Sequence, residues 1–415
     1  MDTRGPLPPP AAPAGDGEAA SVFVLTLGRA LHAHGYPAPG VEDVMVRAAL
    51  SQGLDAQVFT VPTAIFVGFG SGERQRVSLL RMEPGEVHLE RLQRLEEVAS
   101  GVLDGRLSPA QGIEHLDRIL EGGPRYGVLA TVLAYGVASA ASARLLGGGL
   151  RTIGVATLAG AVSGALTLVS RPRPALLRLL VPLAAFVVAA LVAVLSHVLP
   201  PFSGNTATLA GLIVLLPGLT LTLAMSELST GHVISGTARL TEAMIIFVGL
   251  AFGVAMGNQA VTLALGPPVP HGVLALPDWT LVPAVLLAPL AYTVLLRARP
   301  RDTGWIYAAS VLAFLVARLS APGLGPELGV FLGALTAGVA SNLYARWFRG
   351  SPFVTMVPSI LLLVPGTIGF RSLASLLESR VLNGVDAAFH MFLIATALVA
   401  GLLIANLVLP PRRRG

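Results

Sequence analysis

The sequence predicts a polytopic α-helical membrane protein, with about ten transmembrane helices in two inverted five-helix repeats, preceded by a small soluble α/β domain. Three observations predict it. Only 12% of the 415 residues are charged while 53% are hydrophobic, and mean hydropathy is +0.73. The charges concentrate before residue 125 and the long apolar runs come after it. Residues 212–258 recur, without a gap, 148 positions later as residues 360–406, with about ten of 47 positions identical.

Taken in order, residues 1–20 are rich in Pro, Ala and Gly and read as a disordered tail. They lack the apolar core of a signal peptide. Residues 21–123 read as the α/β domain. Helical apolar spacing runs over 22–33 and 41–51, and strand-like runs over 58–61, 64–69 and 76–81. Amphipathic helical patterns follow over 89–103 and 109–120. Gly68-Phe69-Gly70-Ser71-Gly72 leads into another strand, not a helix, so it reads as a hairpin turn and not a dinucleotide fingerprint. His32 and His34, two apart, read as polar-face histidines.

From Tyr126 on, ten apolar spans have membrane length, about 17–25 residues each. They cover 126–145, 150–169, 176–199, 206–227 and 240–265 in a first repeat (126–265). A second repeat (279–409) covers 279–297, 303–319, 327–347, 354–377 and 386–409, and a basic tail closes the chain at 410–415. Five is an odd number, so the second set enters the bilayer from the opposite side. With both termini inside, the inner loops hold twelve arginines (171, 173, 178, 239, 297, 299, 301, 346, 349 and 412–414). The outer loops hold five (144, 151, 318, 371 and 380), as the positive-inside rule requires.

The doubled stretch carries the site. Leu215-Leu216-Pro217-Gly218 falls on Leu363-Val364-Pro365-Gly366, so each copy breaks an apolar helix in mid-span. Paired broken helices at matching places mark a transporter's substrate site. Ionisable residues inside spans are costly and point to function. The substrate-binding candidates are Pro217, Gly218, Glu227, Arg239, Pro365, Gly366 and Arg371; the proton-coupling candidates are Glu242, Asp386 and His390. Arg239 and Glu242, three apart, share a helix face, as do Asp386 and His390, four apart. An arginine and helix-start amides suit a substrate carboxylate, and a histidine suits proton exchange near neutral pH. Gly249, Gly253 and Gly257 read as packing residues, as do the pairs Gly160/Gly164 and Gly329/Gly333.

The same composition bears on other classes. Without cysteine there is no disulfide, thiolate metal site or thiol nucleophile. Neither a Gly-x-Ser-x-Gly elbow nor a His-Glu-x-x-His pair is present, so no enzyme, cofactor or metal site is expected. The net charge of +5 sits at predicted membrane boundaries, not on a nucleic-acid surface. A passive channel or a sensory membrane protein remains the alternative class, and self-assembly of several copies stays open.

Ordered motifs resemble one known family, the threonine/serine exporters. They are Leu27-Gly28-Arg29-Ala30-Leu31, Gly35-Tyr36-Pro37 and Val41-Glu42; then Pro217-Gly218 with Glu227, Ser235-Gly236-Thr237-Ala238-Arg239-Leu240 and Glu242-Ala243. Pro358-Ser359-Ile360, Leu363-Val364-Pro365-Gly366 and Arg371-Ser372-Leu373 complete the set. The resemblance implies proton-motive-force-driven export of threonine and serine across the cytoplasmic membrane; similar split relatives imply dicarboxylates such as succinate. The chain departs from the family motif at Leu223 and Glu227, where an amide-containing stretch and an aspartate are usual.

Overall fold

The computed structural model describes residues 16–72, 75–83, 85–267, 276–348, 350–363 and 381–410. The chain divides into two compact units that meet in sequence at Gly123 and Pro124.

In the first unit, helices α1 (Asp16–Ala33) and α2 (Ala38–Ser51) precede strands β1 (Ala56–Val61), β2 (Ala64–Phe69) and β3 (Arg76–Arg81). Helices α3 (Leu89–Leu103) and α4 (Pro109–Glu121) follow. The strands form an antiparallel sheet in the order β1-β2-β3. Glu42 ties α2 to it by accepting from both the Thr60 amide and the Thr60 hydroxyl at 2.8 Å. Ser108 and Gln111 close a reciprocal capping box at the start of α4.

Two expectations change here. α1 begins at Asp16 and buries Ala20, so helix reaches into the stretch assigned to the tail. His32 and His34 are buried, not on a polar face. His32 hydrogen-bonds the Val61 carbonyl at 3.1 Å, while His34 bonds the Ala30 carbonyl at 2.7 Å and Arg91 at 3.1 Å. The helix ends at Ala33, so His34 leaves the helical direction and turns inward.

The second unit is helical. It runs through α5 (Val128–Leu145), α6 (Leu150–Ser170), α7 (Pro174–Val198), α8 (Gly204–Gly211), α9 (Gly218–Ser229) and α10 (Val233–Leu265). After the next connection come α11 (Leu281–Leu295), α12 (Thr303–Leu324), α13 (Pro326–Phe348), α14 (Phe353–Leu363) and α15 (Val381–Val408). Among the described residues eight helices are long and apolar enough to cross a membrane, nine if the pair 204–211 and 213–229, bent by 51°, is one span. The expected ninth span begins with α14, and its remainder, 364–377, lies outside the described residues.

Small residues set the packing. A Cβ on Gly253 would meet the Pro182 carbonyl at 2.3 Å, and one on Gly401 the Phe331 carbonyl at 2.5 Å. Backbones therefore touch along α7/α10 and along α13/α15, which is what small side chains permit in lipid. One core joins both halves: Val188, Leu212, Leu221, Phe247 and Leu250 pack with Met391 and Ala395 of α15. On the opposite face of α10, Ile245, Val248, Phe252 and Met256 are exposed, the pattern of a lipid-facing surface.

α5 and α11 lie antiparallel. Tyr126, just before α5, donates to the Ala298 carbonyl just after α11 at 2.8 Å. At the other end Arg144 donates to Thr280 Oγ1 at 2.6 Å and to the Pro277 carbonyl at 3.1 Å.

Candidate functional site

The break at Pro217 forms as its residues dictate. Proline has no amide to give, so the helix stops after residue 211, tightens into a 3-10 turn over Ile213–Leu215 and restarts at Gly218. Local bonds absorb part of the cost: the Gly218 amide donates to Leu216 O at 2.9 Å and the Thr222 hydroxyl to Gly218 O at 3.0 Å.

A tight turn at Thr230-Gly231-His232 joins α9 to α10. Gly231 sits at φ +85°, and the His232 amide donates back to Glu227 O at 2.8 Å. α10 starts at Val233, seven residues before the expected span, so 233–239 is helix and not loop. Gly236 lets the two helices close, since a Cβ there would meet Ala224 O and Leu228 N at 2.9 Å.

This hairpin assembles a buried charge cluster. Glu227, 1% exposed, accepts Arg239 Nε at 3.1 Å on each carboxylate oxygen and the Ser235 hydroxyl at 2.8 Å on Oε2. Arg239 is 12% exposed, and neither of its Nη groups bonds to a described residue. Arg239 therefore pairs with Glu227 across the turn, not with Glu242. Glu242 is half-buried and has no hydrogen-bond or ion-pair partner among the described residues. Nor do the break and the charges coincide. Gly218 opens α9 and Glu227 stands near its other end, about 14 Å along the axis at 1.5 Å per residue.

A second cluster joins the start of α13 to α15 at Asp386 and His390. His390 Nδ1 lies 3.0 Å from Glu327 Oε1, and His390 Nε2 lies 3.8 Å from Asp386 Oδ1. Glu327 was not among the residues singled out from the sequence. As the first residue of the predicted span 327–347 it reads as a boundary charge, and only packing of α13 on α15 reveals its partner. Pro365, Gly366 and Arg371 fall outside the described residues.

Family models for threonine/serine exporters match residues 22–261 and 282–408. The probable threonine/serine exporter of Mycobacterium tuberculosis is 26% identical over 377 residues, covering 86% of this chain and 69% of that protein. Pheromone-regulated membrane protein 10 of Yarrowia lipolytica is 25% identical over 393 residues, covering 87% of this chain and 31% of that protein. An uncharacterised protein of Schizosaccharomyces pombe is 23% identical over 406 residues, 93% of this chain, and the chain spans about half (53%) of its length. No solved structure matches.

Proposed function

The chain belongs to the threonine/serine exporter family, and on that premise we propose that it exports small polar amino acids, threonine and serine, across the cytoplasmic membrane at the expense of the proton gradient. The observation that carries the reading is Arg239. Glu227 and the α9–α10 hairpin fix it through Nε, and both Nη groups stay unused by described residues. That leaves an oriented pair of donors of the kind that matches a carboxylate. Glu242, three residues on along the same helix, supplies negative charge for the substrate's ammonium group or a seat for the proton. His390, with Asp386 and Glu327, is the second proton-handling group. In this reading Glu227 positions Arg239, and the Pro217-Gly218 break is the deformable joint of α8 and α9. The antiparallel pairing of α5 with α11 supports the inverted repeat, because the 148-residue shift of the two Pro-Gly pairs carries α5 onto residues 276–293, which overlap α11.

The test is efflux from cells preloaded with labelled threonine, serine or succinate, with and without an uncoupler. Uncoupler-sensitive efflux of the two amino acids, lost in Arg239→Gln, is the expected result. Efflux of succinate alone would assign the dicarboxylate class. Flux that ignores the uncoupler for every compound would replace a coupled exporter by a channel.

A further inference from the structure

We infer that Arg178 and Glu242 form an ion pair in the oppositely facing conformation, as the counterpart of the Glu327–His390 contact that is closed in this one. The inference rests on reading the chain as two inverted repeats. It adds a pair of residues that alternately shut the two ends.

The helix pair α7/α10 and the helix pair α13/α15 pack alike, atom for atom. A Cβ on Gly253 would meet Pro182 O, Ala185 Cβ and Phe186 N; one on Gly401 would meet Phe331 O, Ala334 Cβ and Leu335 N. The second helix of each pair is thus offset by 148 positions and the first by 149. One layer further, Gly257 lies against Ala189, and Gly338 lies against Ala405. The same two offsets hold, and the glycine has moved to the other helix while the close contact is kept.

Carried to the helix starts, these offsets place Glu327 on Arg178 and His390 on Glu242. Each half therefore sets an acid against a base, with the signs exchanged between the helices. In the second half the two touch at 3.0 Å. In the first half neither Arg178, which is exposed, nor Glu242 has a hydrogen-bond or ion-pair partner among the described residues. Two inverted repeats change state by exchanging shapes, so a contact closed in one half here is expected in the other half there.

The chain also supplies a joint. Pro182 sits inside α7 four residues after Arg178, where it can neither bond the Arg178 carbonyl nor avoid crowding it. The matching residue of α13 is Phe331, which imposes no such break. The turn carrying Arg178 can swing while the Gly253 contact stays shut. A carboxylate that is paired in one state and open in the other also meets the requirement for proton coupling at Glu242.

Because the full chain contains no cysteine, introduced pairs report without background. Arg178→Cys/Glu242→Cys and Glu327→Cys/His390→Cys are oxidised in membranes with and without a proton gradient and scored by protection from a maleimide–polyethylene glycol gel shift. The expected result is reciprocal: the condition that raises one crosslink lowers the other. A 178–242 crosslink that forms in no condition overturns the pair, as does one that rises and falls in step with 327–390. This readout needs no knowledge of the substrate, so it stands apart from the efflux assay. In efflux, Arg178→Glu is expected to lower the rate about five-fold or more, and Arg178→Lys, which keeps the charge, to hold most of it. An Arg178→Glu rate near the parent's, as a surface anchor would give, also overturns the pair.

Discussion

An arginine gripped through Nε keeps its planar group in one orientation, and Arg239 is in that condition, its outer nitrogens bonded to no described residue. Arg239→Lys keeps the charge and loses the fork. It is expected to raise the KM for efflux about ten-fold, the value of one charge-assisted bond, with Tm little changed. Glu227→Ala acts differently, because it strands a buried guanidinium. It should cost roughly 3–5 kcal/mol of stability, read as a fall in Tm of the purified protein. The sequence revealed both residues as site candidates but not their pairing. Spacing of three favours Glu242 only when Glu227 is taken to lie on a different, distant element; the early start of α10 and the turn at Gly231 bring it across instead. In the first unit Tyr36 offers an independent residue-scale prediction. Burial, and then the charge of Glu96, push its phenol well above the usual tyrosine range. The folded state holds that proton more tightly than the unfolded chain. Its contribution to stability is therefore complete below about pH 10 and is lost as pH rises from there through the folded value. Spectrophotometric titration should find that Tyr36, the tyrosine of the first unit, ionises only with unfolding, and Tyr36→Phe should remove its share of that step.

At the scale of elements, most boundaries follow from local chemistry. β2 and β3 occupy the runs read as strands, and α3 and α4 start where the periodic patterns start. What the sequence could not give is the length of α10 or the place of Glu227 relative to the break. With Ser235, Gly236, Thr237 and Arg239, the stretch 233–239 resembles a loop in composition, yet α10 extends through it because α9 lies against it and Gly236 allows the approach. The glycines of the small-residue pattern were legible as packing residues, and their partners were not. Gly401→Leu puts side-chain atoms into the Phe331 carbonyl and the Ala334 methyl. Overpacking of this kind costs about 1–3 kcal/mol. The expected outcome is a lower Tm, while the same change at Gly304, which has open space at its Cβ position, leaves Tm unaltered. Equal effects at the two sites would mean that leucine itself, and not the backbone contact, is responsible.

For the whole molecule, the decisive property is the direction in which each half threads the bilayer. The 148-residue offset makes α5 and α11 mates, and hydrogen bonds at both ends run them antiparallel. If each mate keeps that opposition, the connection after α9 and the connection after α11 share one face of the membrane. The connections after α7 and α12 then share the other, and by the positive-inside rule the first of these is expected to be the cytoplasmic face. Single cysteines at Pro200, Thr230, Arg301 and Leu324, all exposed, report the four connections in a chain with no cysteine of its own. A membrane-impermeant maleimide should label Pro200→Cys and Leu324→Cys in intact cells, and Thr230→Cys and Arg301→Cys only after permeabilisation. Labelling of Thr230→Cys together with Leu324→Cys from one side would make the halves parallel. The broken helix, the Glu327–His390 contact and the open Arg178–Glu242 position would then lose their relation across the bilayer, even with every local contact intact.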